Sequence, residues 1–153
     1  MRVAVGSDHA GYALKERVKA ELQRLGHEVQ DFGTDSADVS VDYPDTSIAV
    51  GEKVSAGSAD RGVVLCATGI GASIAANKVE GVRASVVTSD ETARLTRTDN
   101  DSNVLALGGK TAPSVEDALR WLRVWLDTPF AGGRHERRVN KIRDYEARSS
   151  RTP

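Results

Sequence analysis

A single cysteine, Cys66, closes the apolar run Val63-Val64-Leu65 and is followed by Ala67-Thr68-Gly69-Ile70-Gly71 and then by small residues from Ala72 to Ala76. This pattern predicts a buried strand turning sharply into a helix, with the thiol at the carboxyl end of the strand. Two chemistries are open there. In an apolar strand a lone cysteine is an inert small hydrophobe. Beside a helix N-terminus, whose free N–H groups and positive dipole end favour anions, a thiolate is stabilised and becomes a usable base or nucleophile. Gly69 and Gly71 either serve only to permit positive φ or, with Thr68, present N–H groups to a phosphate or an oxyanion. The third glycine and paired acidic residue of a dinucleotide fingerprint are missing, as is a Walker lysine-serine pair, so nucleotide binding is disfavoured.

Asp8 and His9 follow the short apolar run Arg2 to Gly6. In a parallel sheet they would share an edge with Cys66; alternatively Asp8 is a turn residue capping the helix that follows. Asp99-Asn100-Asp101 falls between two predicted elements, where such residues commonly only form turns. Arg134, His135, Arg137 and Arg138 crowd one helical turn. Arg134 and Arg138, four residues apart, share a face, and two guanidiniums side by side suit a phosphate. No spacing of His, Cys, Asp or Glu resembles a zinc site, and no metal or other cofactor is expected.

The elements that must position these residues follow from the apolar pattern. Runs at Arg2–Gly6, Glu28–Phe32, Gly62–Cys66, Val82–Thr88 and Asn103–Leu107 read as strands. Between them lie helical segments: one from Ala10 to Gly26 with Leu14, Val18 and Leu22 at helical spacing, one from Tyr43-Pro44 to Gly57, one starting at Ala72, and one over Asp90–Arg97. Pro113 is expected to open a further helix. Five alternations of strand and helix predict a five-stranded parallel sheet with helices on both faces. The charged tail from Gly132 is either a solvated terminal helix or an arm that docks on another subunit. With 153 residues, 39% hydrophobic and 28% charged, the chain is expected to form one domain over residues 1–153. A formal net charge of −1 argues against nucleic acid as a partner. One cysteine, a short apolar run at the start and no 18-residue apolar stretch suggest a cytoplasmic protein that does not enter a membrane.

Four segments, GSDHAGYALK, CATGIGASIAANK, NDSNVLALGGK and GGRHERRV, together resemble ribose-5-phosphate isomerase type B, of the family that also holds the galactose-6-phosphate isomerase subunits. The likeness covers nearly the whole chain, in order. It implies a Rossmann-like three-layer α/β/α sandwich with a C-terminal helical arm at 132–153, a homodimer or a tetramer built from it, and a metal-free aldose–ketose isomerisation of a sugar phosphate, ribose 5-phosphate to ribulose 5-phosphate. Residue by residue, Cys66 matches the base that moves a proton between C1 and C2 through a cis-enediolate. Ala67, Thr68, Gly69, Ile70 and Gly71 match the anion hole, with Ala67 in place of the more usual glycine. Asp8 and His9 match residues that contact substrate hydroxyls and phosphate, and Asn100 one on the enediolate side. Arg134 and Arg138 match a phosphate clamp, and Lys110 a further basic position. The same resemblance assigns the tail and the Asn100 segment to the site of a neighbouring subunit.

One position departs from the family pattern. The histidine that opens the sugar ring stands immediately before the asparagine, and here that position is Asp99. An ordinary aspartate is ionised at neutral pH and cannot protonate a ring oxygen. Either Asp99 is kept protonated by burial or by Asp101, or His9 or His135 supplies the proton, or the substrate needs no ring opening, as with a tetrose such as erythrose 4-phosphate. A hexose 6-phosphate as substrate, or a sugar-phosphate-binding subunit without catalysis, are the remaining alternatives.

Overall fold

Three strands buried on both faces form the middle of the molecule: β1 (Arg2–Ser7), β3 (Arg61–Cys66) and β5 (Val104–Gly108). Their near-continuous Val, Leu and Ala content is what a strand covered on both sides requires. The shorter β2 (Glu28–Asp31) and β4 (Ala84–Val86) lie at the two edges, giving the order β2-β1-β3-β5-β4 with every neighbour parallel. The computed structural model describes residues 1–149; the last four residues of the tail assigned to the arm lie outside the described residues.

The helices follow from this order. The chain steps one way across the sheet through α1 (Tyr12–Arg24) and α4 (Asp90–Thr98), and the other way through α2 (Tyr43–Ser55) and α3 (Ile70–Ala76). Right-handed crossovers therefore place the first pair on one face and the second pair on the other. α5 (Val115–Asp127) joins the first face. There Val3, Val5, Val63, Leu65, Leu105 and Leu107 pack against Leu14, Val18, Leu22, Leu122 and Trp125. On the second face the same strands present smaller groups, Ala4, Val64, Cys66 and Ala106, to Val50, Ala72 and Ala76. A Cβ at Gly62 would stand 2.7 Å from Val50, so α2 reaches this face at a distance that only glycine allows. The expected α/β/α sandwich with a five-stranded parallel sheet is the fold of this chain.

Local chemistry shifts several boundaries. α1 begins at Tyr12 rather than Ala10, because the Asp8 carboxylate and carbonyl both accept the Gly11 N–H in a preceding turn. α5 begins after Pro113, with Ser114 as the N-cap accepting the Asp117 N–H at 3.0 Å. β4 is three residues long, not seven. Before it, the Asn103 side chain accepts the Arg83 N–H at 2.7 Å and donates to the Gly81 carbonyl at 2.8 Å, taking the place of a neighbouring strand.

The last helix, α6 (Arg134–Ser149), stands apart. Its only buried residue is Val139, while Ile142 and Tyr145 are 48% and 66% exposed. Among the described residues no helix is long and apolar enough to cross a membrane.

α1 and α5 are tied across the first face by Glu21, which is buried and bonds Arg24 at 2.7 Å and Arg123 at 2.7 Å. Hydrogen bonds from Arg24 and then Arg123 hold its carboxyl well below the ordinary range, at about 2. A carboxyl lowered by folding adds stability above its unfolded value, and that stability is lost as pH falls toward the folded value. Glu21→Gln is therefore expected to cost about 1 kcal/mol at pH 7. In urea titrations the difference from the parent should shrink as pH drops from about 5 to about 2; a pH-independent difference would mean that the carboxylate charge is not what ties the helices.

Candidate active site

Cys66 is the last residue of β3 and is 4% exposed. Its Sγ accepts the Gly69 N–H at 3.1 Å, a contact that strengthens as charge grows on sulfur. Gly69 reaches back to the thiol because it adopts φ 78° as the N-cap of α3, a conformation costly for any residue with a Cβ. The Ile70 N–H turns to Thr68 Oγ1 at 3.2 Å. The N–H groups at Gly69 and Ile70 are thus occupied inside the loop rather than presented outward. Among the described residues those of Ala67, Thr68, Gly71 and Ala72 have no protein acceptor, and of these Thr68 and Gly71 lie in the loop on either side of the occupied pair, as donors for an anion beside the sulfur.

Two neighbouring loops meet this one. The Asp8 N–H donates to the Leu65 carbonyl at 3.2 Å, and the Gly109 and Lys110 N–H groups donate to the Cys66 and Ala67 carbonyls at 2.8 and 2.9 Å. The approach is close enough to need glycine on each loop: a Cβ at Gly11 would lie 2.9 Å from Leu65, at Gly109 2.6 Å from the Ala10 carbonyl, and at Gly108 2.9 Å from Thr68. Asp8 is 7% exposed and is both things that the sequence left open, a turn residue bonded to Gly11 and a carboxylate at the edge occupied by Cys66. His9 Nδ1 accepts the Val41 N–H at 3.3 Å, so a neutral His9 carries its proton on Nε2. Exposed Lys110 opens the β5–α5 loop on the same side. This edge is also where the strand order reverses, between β1 and β3, the position at which open parallel sheets leave a crevice.

The remaining candidates sit elsewhere. Asp99 and Asn100 precede β5, while Cys66 is in register with Gly108 at its far end. A strand of five residues, at about 3.3 Å each, keeps the two groups about 15 Å apart along the sheet. Asp99 Oδ1 accepts the Thr98 hydroxyl at 2.7 Å and lies 3.7 Å from His135 Nε2, which also receives Arg134 Nε at 3.4 Å. The first turn of α6, with Arg134 and Arg138 exposed, therefore belongs to the amino edge of the sheet. One copy of the chain brings Asp8, His9, Cys66, Thr68, Gly69, Gly71 and Lys110 together at one edge and Asp99, Asn100, His135 and Arg134 at the other.

Two features escape the sequence patterns. The Tyr43 ring covers Gly71, where a Cβ would stand 2.7 Å from Cζ, so an aromatic from the start of α2 walls the cysteine loop. Tyr43-Pro44 reads only as a helix start, and nothing local reveals that it crosses to another loop. At the amino edge, Asp101 is the hub of an arginine cluster rather than a mere turn former. Burial lowers the Arg83 guanidinium from its ordinary range, and Asp101 opposes that effect. Among the described residues no three His, Cys, Asp or Glu side chains gather as a metal site.

Residues 3–142 match the ribose/galactose isomerase family. The chain is 42% identical over 147 residues to ribose-5-phosphate isomerase B of Escherichia coli, covering 96% of this chain and 97% of that protein. The structure of Clostridium thermocellum ribose-5-phosphate isomerase B superposes with a TM-score of 0.94 at 48% identity, over 97% of this chain and 99% of that one. That of ribose-5-phosphate isomerase B from Mycoplasma genitalium with bound ribulose-5-phosphate superposes at 0.91 with 37% identity, over 95% and 96% of the two chains.

Gly69 combines a positive φ with a Cβ position 3.0 Å from the Leu107 carbonyl carbon. Gly69→Ala is expected to cost about 1–3 kcal/mol in chemical denaturation. A stability equal to that of the parent would show that the loop backbone is not held as described.

Proposed function

The chain belongs to the ribose/galactose isomerase family, and from that premise we propose that it interconverts ribose 5-phosphate and ribulose 5-phosphate, with Cys66 as the base. The observation that carries the role of Cys66 is its position at the carboxyl edge of the sheet, bonded by the Gly69 N–H and flanked by open N–H groups that include those of Thr68 and Gly71.

Aldose–ketose isomerisation needs a proton removed from C2 and returned to C1 while negative charge passes onto the adjacent oxygens as a cis-enediolate. A thiolate at Cys66 takes the C2 proton and the resulting thiol delivers it to C1, while the O2 hydroxyl proton passes to O1 in the enediolate, so the cysteine is unchanged over a cycle. Fixed N–H donors hold the enediolate oxygen without having to reorganise as charge develops. The Asp8 carboxylate and the Nε2 proton of a neutral His9 offer an acceptor and a donor for the sugar hydroxyls.

Substrate phosphate is assigned to Arg134 and Arg138, and the enediolate end also to Asn100. In a single copy these residues stand at the wrong edge of the sheet, so the proposal includes a homodimer in which the amino edge of one copy closes over the carboxyl edge of another. It also places the enzyme in the cytoplasm. Asp99, beside His135 and bonded by Thr98, is the feature that favours a second reading, a tetrose phosphate that requires no ring opening.

Purified protein is expected to isomerise ribose 5-phosphate at least as well as erythrose 4-phosphate; strong preference for the tetrose would replace the pentose assignment. Cys66→Ala should lower kcat by about 10²–10⁴-fold while competitive inhibition by inorganic phosphate persists. Full turnover in that variant would remove the thiol from the mechanism. Sharing of the site between copies has its own measurement. Cys66→Ala and Asn100→Ala, each inactive alone, should regain about a quarter of the parent activity when mixed and allowed to exchange, because half the dimers then hold one intact site. No recovery after verified exchange would place the whole site within one copy.

A further inference from the structure

At the amino edge one carboxylate gathers guanidiniums from separate parts of the chain. Asp101 Oδ1 lies 2.9 Å from Arg97 Nη1 on α4, and Oδ2 lies 3.1 Å from Arg83 Nη2 ahead of β4 and 3.7 Å from Arg143 Nη2 on α6. The same arginines grip the backbone around it. Arg83 Nε donates to the carbonyls of Asn100 and Asp101, both at 3.1 Å, and Arg97 Nη1 donates to that of Ser102 at 2.6 Å. Below, Ser102 Oγ accepts the indole N–H of fully buried Trp125 at 2.8 Å. Asp101 itself has φ 48°, a conformation that aspartate and asparagine tolerate better than most residues. The turn leaves Asn100 exposed, with its backbone clamped.

The side chains of Arg97 and Arg83 are 5% and 14% exposed, against 52% for Arg143. Without the Asp101 charge, three cations would face one another with no carboxylate bonded among them, Glu146 acting on Arg83 only from the Gly81 side. The buried pair is locked by carbonyls, so Arg143 is the member that can leave, and it carries α6 with it.

We infer that Asp101 is a positioning residue that holds Asn100 and the arginine-bearing arm, α6, in fixed relation to each other. Its carboxylate neutralises a cluster that joins the Asn100 turn to the middle of α6, beside the contact that His135 makes with Asp99 at the first turn. This rests on the proposed function, in which Asn100, Arg134 and Arg138 act on one substrate molecule. Asp101 reaches the substrate only through them.

Asp101→Asn removes the charge while tolerating the same backbone conformation. Arg143→Gln cuts the tie of the cluster to the arm, at an exposed side chain, and leaves His135 beside Asp99 and Glu146 on the Gly81 N–H. Both are compared with the parent chain in ribose 5-phosphate kinetics and in calorimetric titration with inorganic phosphate, at constant ionic strength. Asp101→Asn should lower kcat/KM about tenfold or more, with the larger part in KM, and weaken phosphate binding in parallel. Arg143→Gln should raise KM about threefold while leaving kcat within about twofold. Parent-like KM and phosphate affinity in a folded Asp101→Asn protein would overturn the inference, as would a parent-like KM in Arg143→Gln; if Asp101→Asn does not fold, Arg143→Gln decides alone. A parent protein without activity on ribose 5-phosphate would overturn the functional assignment instead, and the phosphate titrations of the variants would still decide the role of Asp101.

Discussion

Everything in this molecule depends on the parallel, in-register hydrogen bonding of β1, β3 and β5. Because Ser7 pairs with Leu65 and Cys66 pairs with Gly108, three strands end together, and the loops that follow them emerge at one edge. Parallel strands cannot be joined by hairpins, so each loop must run into a helix and bring exposed N–H groups with it. The meeting of loops beside Cys66 is thus a product of strand direction before it is a product of any particular residue. What the residues add is closeness. Gly11, Gly69, Gly108 and Gly109 let backbone touch backbone where a single methyl group would separate the loops.

The same direction rule sends Asp99 and Asn100 to the opposite edge. Residues before a strand and residues after it cannot meet within one copy, whatever their chemistry. The two edges are also built differently. The carboxyl edge is held by main-chain hydrogen bonds from Asp8, Gly109 and Lys110, which fix geometry without charge. The amino edge is held by guanidiniums on carbonyls and on one carboxylate, longer groups that span the gap between a turn and a loosely seated helix.

Much of this was legible in the amino-acid pattern. The alternation of apolar runs with helical spacing revealed five strands and the helices between them, and Cys66 at the end of a run marked the edge to examine. What escaped were features made by side chains acting as backbone. Asn103 substitutes for a strand beside Gly81 and Arg83 and shortens β4; Asp8 delays α1; Ser114 moves the start of α5 past Pro113. None of these has a periodicity, so none shows in a pattern. The inward turn of the Gly69 and Ile70 N–H groups was equally hidden, since glycine spacing says that a loop can bend but not which way its amides point. The division of candidate residues between two edges follows from the parallel sheet that the pattern predicts; which loops touch one another needed strand order and register, which pairing across the sheet determines and local sequence does not.

The sparse seating of α6 bears on the order in which the molecule comes into being. Helices of this length are marginal in water without tertiary support, and α6 buries Val139 alone. It also follows the last strand, so during synthesis it leaves the ribosome when the sheet and its crevice already have all their parts. The layered body can then form first, while the arm, held to it by Val139 and a few polar contacts, is the last element to be added. In the proposed homodimer, the newborn chain would have its thiol in place before its arginine arm is settled, and maturation would be a second-order event, governed by how often two finished bodies collide.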